Sequence, residues 1–274
     1  MRSKPETSKA ESEAPLTPQD VRKILSICSP QALLVGGQAL AFWADYLGVE
    51  RPSNLVPVVT ADADFIGDAV LATTLGKRLG WTTWIPSLDD STPQTAKVSQ
   101  RTRSGAIKQV DFLSGVVGLT TKDLLRRAIE LDVPDIGRVR VIHPLDVLDS
   151  RIQNLHLLAD KRTEAGIAQA RLAVSVARAF IEREISSRGE RAGLKLLERL
   201  ADMARDIAAV RVFLLYGIDP LAAVPLESFR TTPALHKVRW PQIVAEVARK
   251  REAVRALSSR APSSRQKKRK SGKH

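Results

Sequence analysis

The chain has 274 residues, of which 43% are hydrophobic and 27% charged, the balance of a soluble globular protein with room for one large domain or two modest ones. Its one cysteine, Cys28, excludes an intrachain disulfide and a multi-thiolate zinc site, and reads as a small buried residue near a helix end; aromatic residues, at 4%, are too few for a large base-stacking platform. The formal charge of +13 is uneven: Arg260, Arg265, Lys267, Lys268, Arg269, Lys270 and Lys273 sit in residues 259–274 with no acid among them, leaving +6 for the rest.

Residues 1–15 are polar and contain acids, so they read as a disordered leader and neither a signal nor a transit peptide. A helix then starts at Thr17, with Pro18 at its first position and Asp20 where a capping-box acid belongs, and runs to about Ile27. The apolar run 32–35 (ALLV) predicts a strand that stops at Gly36-Gly37, and Gln38 to Leu47 resumes a helix. After a loop holding Arg51 to Asn54, VPVVTADADFIG predicts a strand carrying Asp62 and Asp64, followed by a helix over about 67–79. WTTWIP and QTAKVSQ predict short strands, AIKQVDFLSG (106–115) a clearer one, Thr120 to about Glu130 a helix, and 138–142 a last strand.

From Pro144 the apolar spacing is helical throughout. Leu145, Leu148, Ile152 and Leu155 share one face, Ile167, Ala170, Val174, Ala177 and Ile181 another, and Leu194–Tyr216 and Pro241 to about Leu257 continue the pattern. The expected organisation is a leader (1–15), a mixed α/β domain (16–143), a helical domain (144–258) and a disordered basic tail (259–274). The tail suits sequence-independent contact with nucleic acid, or serves solubility alone. No stretch approaches the roughly 20 apolar residues of a membrane span. With one thiol and no membrane signal, a cytoplasmic location is expected.

Chemistry concentrates on three short segments. Asp62 and Asp64 are two apart on a predicted strand, so both carboxylates leave the same face while Ala61, Ala63 and Phe65 face the core. Adjacent like charges repel, and a hard, oxygen-seeking cation such as Mg²⁺ relieves that repulsion while keeping sites for waters and phosphates. On its own strand Asp111 shares a face with Gln109, opposite Val110 and Phe112. If the two strands pair, Asp111 completes a three-carboxylate cluster able to hold two metals. Gly36-Gly37 ends a strand and opens a helix, where free backbone N–H groups and the helix dipole suit a triphosphate. A lone D-x-D or Gly-Gly is common; the order strand–GG–helix, strand–DxD, strand–D is the informative signal.

VGGQALAFW, TADADFIG and QVDFL together resemble the nucleotidyltransferase superfamily that includes DNA polymerase beta, most closely its minimal bacterial branch related to abortive-infection nucleotidyltransferase toxins. The resemblance covers about residues 30–160. It implies an α+β fold, a mixed-sheet palm followed by an all-α domain, and transfer of an NMP from an NTP with loss of pyrophosphate. It further implies Asp62, Asp64 and Asp111 as catalytic metal ligands for two Mg²⁺, with Mn²⁺ an alternative, Asp111 as general base, and Gly36 and Gly37 as phosphate contacts. The acceptor would be RNA or tRNA, a protein or a small molecule; a toxin–antitoxin role is a biological setting for the same chemistry, and the protein partner is unknown. Toxin-like relatives carry a lysine on the helix after the palm; Arg151 stands at the matching position here and Lys161 follows ten residues on, either of them a nucleotide-binding cation or part of a solvated helix face. A non-catalytic module of the same fold, binding nucleic acid or a protein, is the alternative.

Other candidates are set aside. No P-loop, G-x-G-x-x-G or G-x-S-x-G is present, and His143, His156, His236 and His274 lack ligand spacing. His143 reads as structural, Phe42 and Trp43 as core, and Asp146 and Asp149 as first-turn acids favoured by the helix dipole.

Overall fold

The computed structural model describes residues 13–51, 62–87 and 89–260. Helix α1 (Pro18–Cys28) starts as its cap dictates: the Asp20 amide donates to Thr17 Oγ1 (3.2 Å) and the Thr17 amide to Asp20 Oδ2 (2.8 Å). Strand β1 (Leu33–Val35) is buried throughout and runs directly into α2 (Gly36–Leu47). Strand β2 (Ala63–Ile66) follows, so Asp62 stands just ahead of the strand and Asp64 within it; the segment VPVVTA expected to lead into it lies outside the described residues. Next come α3 (Ala69–Leu79), β3 (Thr82–Trp84), β4 (Gln94–Arg101) and β5 (Ile107–Leu113).

The chain then departs from expectation. Helix α4 covers only Thr121–Arg127, and Ile129–Val133 forms β6, a strand hairpinned with β7 (Gly137–Val141) through Asp135 in the left-handed region (φ 64°). Ile129, Leu131 and Val133 are half-buried while Glu130 and Asp132 are exposed, a period-two pattern that overrides the helical continuation of TKDLLRR.

The seven strands form one mixed sheet in the order β3-β4-β5-β2-β1-β7-β6. At its centre β1 pairs antiparallel with β2 and parallel with β7, and β2 pairs parallel with β5. The N-terminal stretch read as leader is anchored at its end: Glu13 bridges to Ile107 and the Ala14 amide donates to the Ile107 carbonyl (2.8 Å).

Beyond the sheet lie α5 (Pro144–Leu157), a 3₁₀ turn (Ala159–Lys161), α6 (Glu164–Arg188), α7 (Glu190–Arg205), α8 (Ile207–Tyr216) and α9 (Trp240–Arg260). The stretch Leu194–Tyr216 is thus two helices, broken at Asp206, whose carboxylate caps α8 at the Ala208 amide (2.8 Å). Helix α9 continues to Arg260, into the segment read as tail, and the remainder of the tail is outside the described residues. The architecture is α+β, a mixed sheet followed by helices.

One continuous buried set joins sheet and helices. Trp43 of α2 is its hinge point: buried, it meets Phe180 of α6 edge-on (centroids 5.8 Å) and donates from Nε1 to the Ile142 carbonyl (2.8 Å). It is a core residue, as its position on α2 predicts. Among the described residues no single helix is long and apolar enough to cross a membrane.

Candidate metal centre

Sheet register builds the site. Asp64 lies opposite Val35 on one side and opposite Asp111 on the other. Parallel pairing of β2 with β5 therefore places the two aspartates side by side on one face, with Phe65 and Phe112 stacked on the other (centroids 5.9 Å). Asp62, one residue ahead of β2, shares that polar face, and ligand oxygens of Asp62, Asp64 and Asp111 lie within 4.8 Å of one another. Such a cluster of oxygen donors could hold a metal ion.

The glycine turn closes against it. Because Val35 faces Asp64, the chain leaving β1 must turn beside that carboxylate. Gly36 does so at φ 68°, and a Cβ there would fall inside the Asp64 carboxyl group. Both the left-handed backbone and the close approach require glycine. The first-turn N–H groups of α2, Gly37 among them, receive no side-chain cap from Val35.

The electrostatics are those of a site short of positive charge. Burial, then Asp62 and Asp111, push the Asp64 carboxyl up to about 7, against the pull of Arg151 and Lys161. Burial raises Asp111 to about 6, Lys97 works against it, and Asp62 adds to it. Asp111 is held at both oxygens: Gln94 Nε2 donates to Oδ1 (3.0 Å) and Gln109 Nε2 to Oδ2 (3.1 Å), with Lys97 Nζ 4.0 Å from Oδ1.

Arg151 and Lys161 are both close enough for their charge to be felt at Asp64, but in different settings. The Arg151 side chain points inward from α5. Its Nη1 donates to Gln169 Oε1 of α6 (3.0 Å) and its Nε is buried without a partner. Burial lowers its pKa while Asp64 and Asp62 oppose that effect. Lys161 is exposed at the 3₁₀ turn, with Nζ 3.3 Å from Asp160. The residues around the acids that sequence reading missed are Gln94, Lys97 and Gln169. Lys97 is the cross-strand partner of Asp111, a pairing fixed by a hairpin register with a bulge at Gln94/Ala96 and so invisible to alternation alone.

A second acidic centre lies at the start of α5. Asp146 is fully buried and accepts from Arg127 Nε (3.0 Å) and Nη2 (2.9 Å) and from Arg199 of α7. It is more than the first-turn acid expected from sequence. His143 caps α5, its Nδ1 accepting from the Leu145 amide (3.1 Å), and burial followed by Arg199 and Arg127 pushes its pKa down to about 3. It is a neutral, structural histidine at neutral pH. Asp149 alongside is raised by burial, with Gln153 Nε2 3.3 Å from its Oδ1.

No protein-family model and no curated protein matches the chain. Solved structures with some likeness to it include the Megavirus polyadenylate synthase, 14% identical with a TM-score of 0.34 over 66% of this chain and 39% of that one. Another is JHP933 from Helicobacter pylori, 14% identical with a TM-score of 0.33 over 89% of this chain and 99% of that one. The chain thus spans well under half the length of the viral enzyme. Overlaps this loose assign no chemistry; the site's own geometry must.

Proposed function

We propose that this protein is a divalent-metal-dependent nucleotidyltransferase, moving an NMP from an NTP to an acceptor with release of pyrophosphate. The observation that carries this reading is the convergence of Asp62, Asp64 and Asp111 on one sheet face beside the Gly36 turn. The motif order resembles the nucleotidyltransferase superfamily, and the donor set suits Mg²⁺: three carboxylates, two of them with strongly raised pKa, form a site that a hard cation would relieve. When bound, two Mg²⁺ or Mn²⁺ ions would supply acidity to the acceptor hydroxyl and neutralise charge on the transferring phosphate.

The remaining roles fall to the chain. Asp62 and Asp64 hold the cation side of the site. Asp111, held by Gln94 and Gln109, would accept the proton of the acceptor hydroxyl. The backbone of Gly36 and Gly37 at the open end of α2 suits the triphosphate. Arg151, steadied by Gln169, offers a buried cation for phosphate oxygens, and Lys161 a second at the rim. In this reading residues 16–143 carry the metal chemistry, while residues 144–258 add Arg151 and Lys161 and select the acceptor, an RNA or tRNA, a protein or a small molecule. A toxin-type role rests on the resemblance alone.

The test is label transfer. The protein is incubated with each α-labelled NTP, Mg²⁺ and either total RNA or lysate, alongside an Asp62→Ala, Asp64→Ala variant. Transfer by the wild type, falling by about a thousandfold or more in the variant, supports the reading. Absence of transfer together with absence of a Mg²⁺-NTP thermal shift in the wild type would leave a non-catalytic binding module.

A further inference from the structure

A cleft of about 510 Å³ opens between the C-terminal end of α5, α8 and α9, outside the carboxylate centre. Its floor is apolar, with Val212 fully buried and Leu155 nearly so, while Arg162, Arg211 and Arg255 stand around it and no acid lines it. Arg162 is pinned: its Nε donates to the Leu155 carbonyl (3.0 Å) and its Nη2 to the His156 carbonyl (2.7 Å). Arg211 and Arg255 are exposed and have no acidic partner among the described residues. Five other arginines of the helical half, Arg178, Arg199, Arg205, Arg239 and Arg251, are by contrast paired with carboxylates.

We propose that this cleft binds a single strand of RNA, with phosphates on the three arginines and a base or ribose against the Val212 floor. Three convergent guanidiniums match the planar geometry of phosphate oxygens. The volume falls in the range of about 300–1,000 Å³ that holds a nucleotide-sized group. An apolar floor ringed by cations fits a ligand that is charged along one edge and apolar on its faces, which describes a nucleotide strand and excludes the chain's own basic tail. Placement agrees. Lys161, whose charge is felt at Asp64, is the residue next to Arg162 of the cleft. On the other side α9 carries Arg249, Lys250 and Arg255 toward the segment holding seven further cations. The inference names the acceptor class for the proposed transferase, yet binding in the cleft requires no catalysis, so the two are separable.

The full chain provides its own probe. Cys28 is buried, with its thiol pushed up to about 12, so a thiol-reactive fluorophore would select a cysteine placed by Leu257→Cys. Leu257 is 69% exposed and one helical turn beyond Val254 of the cleft. Titrating this labelled protein with a mixed-sequence RNA of about ten nucleotides should give a saturable signal. Adding Arg211→Ala and Arg255→Ala should weaken it about tenfold or more and lower the slope of log affinity against log salt by about 1.4, at unchanged melting temperature. An Asp64→Asn variant should bind the RNA as tightly as its parent even where it transfers no label, which separates failure of the catalytic reading from failure of this one. A signal that does not saturate, an affinity indifferent to both arginines, or a free mononucleotide binding as tightly as the strand would overturn the proposal.

Discussion

The molecule contains two acidic centres, one on the central strands of the sheet and one at the start of α5, and they are built on opposite terms. At the start of α5, Asp146 is surrounded by compensation: two guanidiniums reach it, one from α4 and one from α7, and its oxygens are satisfied. At the β2–β5 seam three carboxylates face one another, and the nearest cations stand back, with Lys97 at 4.0 Å. The first arrangement ties the sheet to the helices. The second leaves mutual repulsion among three carboxylates that a bound cation would relieve.

The largest effect expected from this contrast is at Asp146. Asp146→Ala should leave two guanidiniums without their shared carboxylate and cost about 3–5 kcal/mol of stability, read as a lowered denaturant midpoint at constant m-value. A loss below about 1 kcal/mol would mean the network is not a brace.

At the carboxylate centre the same logic runs in reverse. Asp64 and Asp111 have folded pKa values raised above the ordinary 3.8, so the folded protein binds protons more readily than the unfolded chain. Their protonation therefore favours folding at low pH, and that stability is lost as pH rises from about 4 to about 7. In metal-free buffer at pH 8, Asp64→Asn should raise the melting temperature by about 2–5 °C while abolishing label transfer. Mg²⁺ should stabilise the wild type more at pH 8 than at pH 5; equal shifts at both would show that the cation does not meet these carboxylates.

The smallest effect is expected at Gln169, which touches neither acid nor substrate but holds Arg151. Gln169→Ala should raise KM for the NTP by about threefold to tenfold with kcat little changed, as loss of a neutral hydrogen bond to a charged side chain implies. A fall in kcat at unchanged KM would instead place Arg151 in the transition state.

Much of this was legible in the sequence because local physics sets it. Thr17-Pro18 and Asp20 announce α1, the alternation in ADADF and IKQVDF puts aspartates on one face and apolar residues on the other, and Gly36 marks a turn that no other residue fits. The β6 strand was not legible, because TKDLLRRAIE keeps helical character until its apolar residues find the sheet edge. The break at Asp206 hid in the same way, since Leu194–Tyr216 reads as one apolar-periodic stretch.

The residue types at the carboxylate centre and the face each leaves follow from local sequence, because strand alternation and glycine's positive φ are properties of a few neighbouring residues. Long-range packing was needed for Asp64 to meet Asp111, for Asp146 to be neutralised by Arg127 and Arg199, and for Arg162, Arg211 and Arg255 to line one cleft. Each of those depends on residues 19 to 93 positions apart, and the hydrophobic burial that brings them together is non-directional until the whole core has packed.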